Sequence, residues 1–203
     1  FYFSIVQKYC PWFGVAKPNK QSVHEFLKLS GWFMGWNLII QLMISSDVII
    51  LGLLKSVESV TYYTISKYAP ETLVTLISMM VIGVLPGLGG IIGSGDLVKA
   101  KQVREEMMVL SWLIVTVLGT VILLWNRTFI TIWVGSDYYV GVLTNLLIII
   151  SVFQFIIIRN DANVIDLTLQ LKKKVLLGGI SVFISIAAAI IMVNIFEFGI
   201  VGV

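Results

Sequence analysis

Five long runs without charge dominate this sequence and limit what the chain can fold into. Four of them contain no Asp, Glu, Lys or Arg over 20 to 24 residues: 72–95, 107–126, 138–158 and 175–196. The fifth run, 29–54, is interrupted only by Asp47. Because a helix rises about 1.5 Å per residue, each run is long enough to cross about 30 Å of hydrocarbon.

Composition excludes a water-soluble globule. Hydrophobic residues make up 58% of the 203 residues and charged residues only 12%, whereas soluble domains carry about 25% charged residues. The excess apolar surface must face lipid, where helices satisfy their own backbone hydrogen bonds. We therefore predict an all-α, polytopic transmembrane bundle with about five full spans and the tail of another. The spans lie near 29–54, 70–95, 107–126, 138–158 and 175–196.

The chain offers little material for a metal site or a disulfide. Cys10 is the single cysteine and His24 the single histidine, so neither an internal disulfide nor a His/Cys metal site can form. No phosphate- or dinucleotide-binding glycine motif is present. The sequence therefore predicts no metal, no cofactor and no nucleic-acid partner, and the net charge of +3 is attributed to basic loops.

The amino-terminal region precedes the first full span. Residues 1–7 are apolar but too short to span, and they lack the basic start and cleavage site of a signal peptide. We interpret 1–21 as the end of a preceding helix and a cytoplasmic connector, and 22–203 as the bundle of a longer protein. Ser22 and Glu25 have capping-box spacing, which predicts a helix start near Ser22.

The basic residues are distributed unevenly between the predicted loops. Five spans put 11 of the 14 on one side and leave Lys55, Lys67 and Arg127 on the other. This asymmetry predicts a cytoplasmic location for the connector 8–28 and for the loops 96–106 and 159–174. It also leaves every Lys and Arg in a loop or at a helix end, so we expect no basic side chain in mid-span.

Asp47 is the one ionisable side chain well inside a predicted span. Because an unpaired carboxylate in hydrocarbon is costly, it should face protein or a water-filled cavity. It is either part of a cation, proton or substrate site, or an interfacial acid that pairs locally, for example with Lys55. Asn37, Gln41 and Ser45 recur every four residues on the same helix and form a polar stripe that lines a path or joins helices.

The second span contains the strongest helix-breaking residues. Pro70 lies near its outer end, and Pro86 and Gly87 lie in a glycine-rich inner half. Proline removes a backbone hydrogen bond, so these three residues are candidates for a hinge. Close packing of small residues against another helix is the alternative explanation.

Two short motifs carry little weight. The string 93–96, Gly-Ser-Gly-Asp, resembles the signature of intramembrane aspartyl proteases. That family needs a second aspartate preceded by tyrosine, whereas Asp47 follows Ser46. We therefore predict that the protein is not an enzyme. Asn126 begins an N-glycosylation triplet at the end of a span, a match short enough to occur by chance.

Several segments in order resemble one family of transporters. They are Asp47 to Gly52, Val60 to Ile65, Pro86, and Gly95-Asp96 followed by Lys99 and Lys101; the most specific is Phe129-Ile-Thr-Ile-Trp133-Val-Gly135-Ser-Asp-Tyr138-Tyr139. This order is similar to the multidrug/oligosaccharidyl-lipid/polysaccharide exporter superfamily, and in particular to its polysaccharide-biosynthesis and O-antigen flippase branch. Residues 22–158 carry the resemblance, while 163–203 agree mainly in pattern.

The resemblance implies a two-lobed transporter of the inner membrane, of which this chain is one lobe, better matched to the second. It implies alternating access that moves a lipid-linked oligosaccharide, an O-antigen or another polysaccharide precursor, to the outer leaflet. The expected partners are that glycan, membrane lipids, the missing first lobe and glycan-assembly proteins. A cation-coupled multidrug exporter of the same fold and a noncatalytic membrane subunit of a glycan-assembly complex remain alternatives.

Overall fold

The computed structural model describes residues 19–196 and 199–202. This part of the chain contains no β-strand and forms five α-helices: α1 (Lys20–Leu54), α2 (Val57–Gly93), α3 (Leu97–Trp133), α4 (Val142–Leu167) and α5 (Leu171–Asn194). All five are long and apolar enough to cross a membrane. The predicted all-α, multi-pass bundle is therefore confirmed. The predicted tail of an earlier helix lies outside the described residues.

The helices extend beyond the uncharged runs. α2 begins at Val57 rather than near Pro70, and most of the predicted loops 96–106 and 159–174 is helical. The connections are short, at 55–56, 94–96 and 168–170, apart from 134–141, which contains the 3₁₀ turn Ser136–Tyr138. Charged residues continue the helices because water solvates them beyond the hydrocarbon, and pairs such as Lys101–Glu105 stabilise the extra turns.

The start of α1 differs from the predicted capping box. The helix begins at Lys20, and the Asn19 side chain accepts a hydrogen bond from the Gln21 backbone amide. Glu25 accepts a hydrogen bond from the Gln21 side chain instead of turning back to Ser22. Asparagine is as effective a helix cap as serine. The helix is therefore capped by Asn19, three positions before Ser22, the predicted cap.

The five helices form two packing units. α2 packs against both α3 and α4, whereas α1 packs mainly against α5. Contacts between the units are fewer and lie mostly between α1 and α2 and between α4 and α5, next to the turns that connect those helices. We call the two groups the α1/α5 unit and the α2–α4 unit.

The larger apolar core belongs to the α2–α4 unit. It joins buried residues of α2, α3 and α4, including Ile77, Val115 and Val152, with Leu51 at the end of α1. A second core lies in the other half of α1 and contains Trp36, Ile39, Ala162 and Val182. α1 therefore contributes to different cores at its two ends.

The α1/α5 contact is close because α5 carries a glycine at the crossing. An ideal Cβ built at Gly178 would lie 2.7 Å from Cζ3 of Trp36. The same indole lies under Lys174, whose Nζ is 4.1 Å from the centroid of the Trp36 ring. Lys174 also contacts the Asp166 carboxylate and donates to the Ala162 carbonyl. This buried lysine is thus neutralised where α1, α4 and α5 meet.

Candidate functional site

A polar cavity lies between α1, α2 and α4. It has a volume of about 280 Å³, and we call it the charged cavity. Its walls combine apolar side chains with four charged groups and several hydroxyls. The polar and charged lining residues are Asp47, Tyr63, Lys67, Glu71, Thr75, Ser151 and Arg159.

One face of α2 supplies most of these groups. Tyr63, Lys67, Glu71 and Thr75 recur every four residues, and residues at this spacing lie above one another on one side of a helix. On α4, Ser151, Phe155 and Arg159 follow one another at the same four-residue spacing. The charged cavity is therefore elongated along the helix axes rather than confined to one depth.

Asp47 of α1 receives two donors from α2. The Tyr63 hydroxyl donates to Oδ2 of Asp47 at 2.7 Å, and Nζ of Lys67 lies 3.4 Å from the same oxygen. Lys67 also donates to the Ile44 carbonyl at 3.2 Å and pairs with Glu71 at 3.3 Å. The Lys67 side chain is only 12% exposed. We call Asp47, Tyr63 and Lys67 the α1–α2 latch.

The latch corrects two predictions. The partner of Asp47 is Lys67, 20 positions later in the chain, and not the nearby Lys55. The expectation that every Lys and Arg lies in a loop or at a helix end is also wrong, because Lys67 lies inside α2 and, elsewhere in the cavity, Arg159 lies inside α4. Neither could be placed from the charge pattern, because that pattern started the second span at Pro70 and ended the fourth before Arg159.

Arg159 differs from the other charged groups of the cavity. No carboxylate of the described residues forms an ion pair with it; its guanidinium carbon lies 5.9 Å from the centroid of the Phe155 ring. The rise per residue puts Arg159 about 26 Å along α4 from Val142. A guanidinium presents five donors in a planar fork that suits phosphate and carboxylate. Arg159 is therefore the group in the cavity best able to bind an anion.

The other α1 residues predicted for a path are not part of this cavity. Gln41 donates to the Ser45 hydroxyl at 2.9 Å, and Asn37 donates to the Phe33 carbonyl at 3.0 Å. Of the four predicted path residues, the structure places only Asp47 in the lining. Asn37, Gln41 and Ser45 satisfy their polar groups within α1, one helical turn away.

Pro70 is accommodated without ending α2. A proline at this position removes the amide that would bond to the Ser66 carbonyl, four residues earlier. Nδ2 of Asn126 donates to that carbonyl at 3.0 Å, and also to Oδ1 of Asn145 at 2.7 Å. Asn126 is 2% exposed, so its glycosylation triplet is inaccessible in the folded chain. The carbonyl that Pro70 leaves without its helical donor is therefore satisfied by α3, through a side chain that α4 also binds.

Pro86 and Gly87 lie in a different environment. An ideal Cβ at Gly83, Gly87 or Gly90 would meet nothing within 4 Å, and only Gly89 of this half approaches another helix, at Leu167. Close packing within the described chain therefore does not explain these glycines. α2 continues through both prolines to Gly93, and the predicted hinge at Pro86 and Gly87 stays a prediction.

Asp96 caps a helix. It is the N-cap of α3, and its Oδ1 accepts a hydrogen bond from the Lys99 amide at 3.0 Å. Gly95 before it has φ of 84°, a left-handed conformation that glycine adopts without strain. The Gly-Ser-Gly-Asp string is thus the turn between α2 and α3. Among the described residues, no group of three or more His, Cys, Asp or Glu could hold a metal ion.

The sequence analysis missed every polar lining residue of the cavity except Asp47, namely Tyr63, Lys67, Glu71, Thr75, Ser151 and Arg159. A detectable signal was present, because the stripe at 63, 67, 71 and 75 repeats the four-residue spacing found on α1. It went unrecognised because the residues before Pro70 were taken to lie outside the helix. The pairing of Asp47 with Lys67 has no such signal and depends on the approach of α1 to α2.

No protein-family model, no curated protein and no solved structure matches this chain.

Proposed function

We propose that this protein is a transporter of the inner membrane that flips or exports a lipid-linked oligosaccharide precursor by alternating access. The observation that carries the proposal is the charged cavity between α1, α2 and α4, in a bundle whose other helix surfaces are largely apolar. Ionisable groups inside a membrane are expensive, and they commonly mark pathways for polar substrates.

The chemistry of the cavity suits such a substrate. A lipid-linked glycan joins an anionic phosphate to sugar hydroxyls. Arg159 supplies a cation with which no carboxylate of residues 19–196 forms an ion pair, while Thr75 and Ser151 supply hydroxyls to the same cavity. With the basic loops in the cytoplasm, Arg159 lies toward the inner leaflet, where a phosphate headgroup would enter. The proposal also draws on the resemblance of 129–139 to the flippase branch.

Complementation tests this function. The full-length protein is expressed in a strain that lacks its own flippase but makes a matching glycan, and surface glycan is measured. We expect restored glycan with the natural protein, at least a tenfold loss with Arg159→Ala, and partial activity with Arg159→Lys, which keeps the charge but not the fork. Arg127→Ala is the matched control, since Arg127 lies outside the cavity lining.

A cation-coupled exporter is the second candidate, favoured by the two carboxylates of Asp47 and Glu71 around one lysine. Proton- or sodium-driven dye efflux in vesicles separates the two. Efflux that disappears in Asp47→Asn would support this candidate and contradict the flippase. Absence of efflux combined with no restoration of surface glycan would reject both.

A further inference from the structure

The α1–α2 latch is one of two polar links between the packing units that the structure describes; in the other, Lys174 of α5 contacts Asp166 and the Ala162 carbonyl of α4. In the described residues, each of the hydrogen bonds between α1 and α2 involves Asp47 or Ile44 of α1 and Tyr63 or Lys67 of α2. Above the latch, Leu51 and Val48 hold α1 to the larger core near the 55–56 turn. Below it, Trp36 and Ile39 pack in the second core beside α5. A charged cluster thus stands where α1 leaves one core for the other.

The connections between the units are suited to a rotation. The α1/α5 unit joins the α2–α4 unit through two short turns, 55–56 and 168–170. In the second turn Leu169 has φ of 57°, a left-handed conformation that is unfavourable for a branched side chain. Short connections between rigid helices can absorb a change in backbone angles. Close to these turns the units also share apolar contacts, through Leu51 of α1 in the larger core and Ala162 of α4 in the second.

The latch also borders a second cavity. This smaller cavity, about 160 Å³, lies beneath the turn Gly199–Gly202. Tyr63, Ile148 and Ser151 line both cavities and form the wall that they share. The Tyr63 hydroxyl donates to Asp47, so the latch fastens α1 to that wall.

We propose that the α1/α5 unit and the α2–α4 unit move as two bodies, and that the Asp47–Tyr63–Lys67 latch holds them closed. Release of the latch separates α1 from α2 and widens the charged cavity between them. This inference goes beyond the proposed transport function, and its test is separate because it needs no substrate.

Distances between spin labels test the movement in the full-length protein in lipid nanodiscs, with Cys10→Ser as background. The labels replace Leu38 on α1 and Leu76 on α2, two exposed residues that each lie nine positions from the latch, on the same side of it. We expect Tyr63→Phe, Asp47→Asn and Lys67→Met each to lengthen this distance or to add a longer population. Tyr63→Phe is the mildest variant because it removes one hydroxyl.

Two label pairs within the units are the controls. Leu38 with Phe183 reports on the α1/α5 unit, and Leu76 with Leu113 reports on the α2–α4 unit; all four side chains are exposed. These distances should not change. As a matched variant, Asp161→Asn breaks the Arg104–Asp161 pair inside the α2–α4 unit and should leave the Leu38–Leu76 distance unchanged.

The results divide cleanly. A longer Leu38–Leu76 distance in the latch variants with constant distances within each unit supports two bodies and a latch. An unchanged Leu38–Leu76 distance in all three variants overturns the proposal. Equal lengthening within the units also overturns it, because the variants would then loosen the helices generally. Loss of glycan transport with unchanged distances would leave the transport function standing and remove only the latch.

Discussion

At the scale of single residues, charges and constrained backbone angles show where this bundle departs from a uniform apolar fold. Lys67 and Lys174 are both nearly inaccessible, and each has a carboxylate and a carbonyl acceptor within reach. Such compensation is required because an unpaired buried charge is strongly destabilising. Among the charged residues that line the cavity, Arg159 is the exception, because no carboxylate of the described chain pairs with it. It is therefore the candidate for substrate contact.

Leu169 gives a prediction about stability at this scale. Its φ of 57° places a 60% exposed leucine in the left-handed region, at a helix end where glycine is the usual residue. We expect Leu169→Gly to raise the free energy of unfolding in mixed micelles by about 0.5–1 kcal/mol, because it removes this strain.

Leu177→Gly is the matched control for Leu169→Gly. Leu177 is also exposed but lies inside α5, so its replacement by glycine should lower the free energy of unfolding by about 0.5–1 kcal/mol. If both substitutions destabilised the bundle equally, the left-handed angle at Leu169 would carry no strain.

At the scale of elements, α2 shows how a transmembrane helix tolerates proline. Because Pro70 has no backbone amide hydrogen, it cannot donate to the Ser66 carbonyl. The side-chain amide of Asn126 in α3 donates to that carbonyl instead. The Ser66 hydroxyl also accepts a hydrogen bond from the Val140 amide at 3.4 Å, which ties the 134–141 connection to the same turn. A proline in one helix thus determines the polar contacts of its neighbours.

This arrangement predicts coupling between Pro70 and Asn126. Asn126→Ala should cost about 1–3 kcal/mol in the free energy of unfolding, because it leaves a buried carbonyl without a donor. In a Pro70→Ala background the new amide can bond to Ser66, so the same substitution should cost about 1 kcal/mol less. A double-mutant cycle of unfolding in mixed micelles measures the difference.

Asn37→Ala is the control for this cycle. Within the part of the chain that the structure describes, its side chain bonds only to the Phe33 carbonyl of its own helix and is exposed, so the cost should stay below about 0.5 kcal/mol in either background. Additive costs for Pro70→Ala and Asn126→Ala would show that Asn126 does not compensate for the proline.

At the scale of the whole molecule, the two ends of the bundle should face different compartments. The connections at 134–141 and 168–170 lie at opposite ends of α4, whose 26 residues extend about 39 Å. The side near 168–170 carries the triplet Lys172, Lys173 and Lys174. The positive-inside bias therefore predicts that this end is cytoplasmic.

Thiol labelling checks this orientation in intact cells. With Cys10→Ser as background, a cysteine at the exposed Asp137 should react with a membrane-impermeant maleimide. A cysteine at the exposed Lys172 should react only after permeabilisation. The reverse labelling pattern would mean that the charge bias is misassigned, and equal labelling of both sites would contradict the span count.

The amino-acid sequence alone determined that this chain is a multi-pass helical bundle, since uncharged runs of membrane length depend only on composition and local periodicity. It also singled out Asp47, because one acid in an apolar run is visible without a fold. The helices were predicted too short, because charge marks the edge of the hydrocarbon and not the end of hydrogen bonding: α2 begins earlier than predicted, at Val57, and α4 continues past Asp161.

Only the tertiary structure decided which side chains meet. The pairs Asp47–Lys67 and Asn126–Ser66 join residues 20 and 60 positions apart, and the charged cavity brings polar residues of α2 and α4 together with Asp47 of α1. Such contacts depend on which face each helix turns toward its neighbours. In a lipid-facing sequence that choice leaves little trace, because apolar residues cover the core and the lipid surface alike.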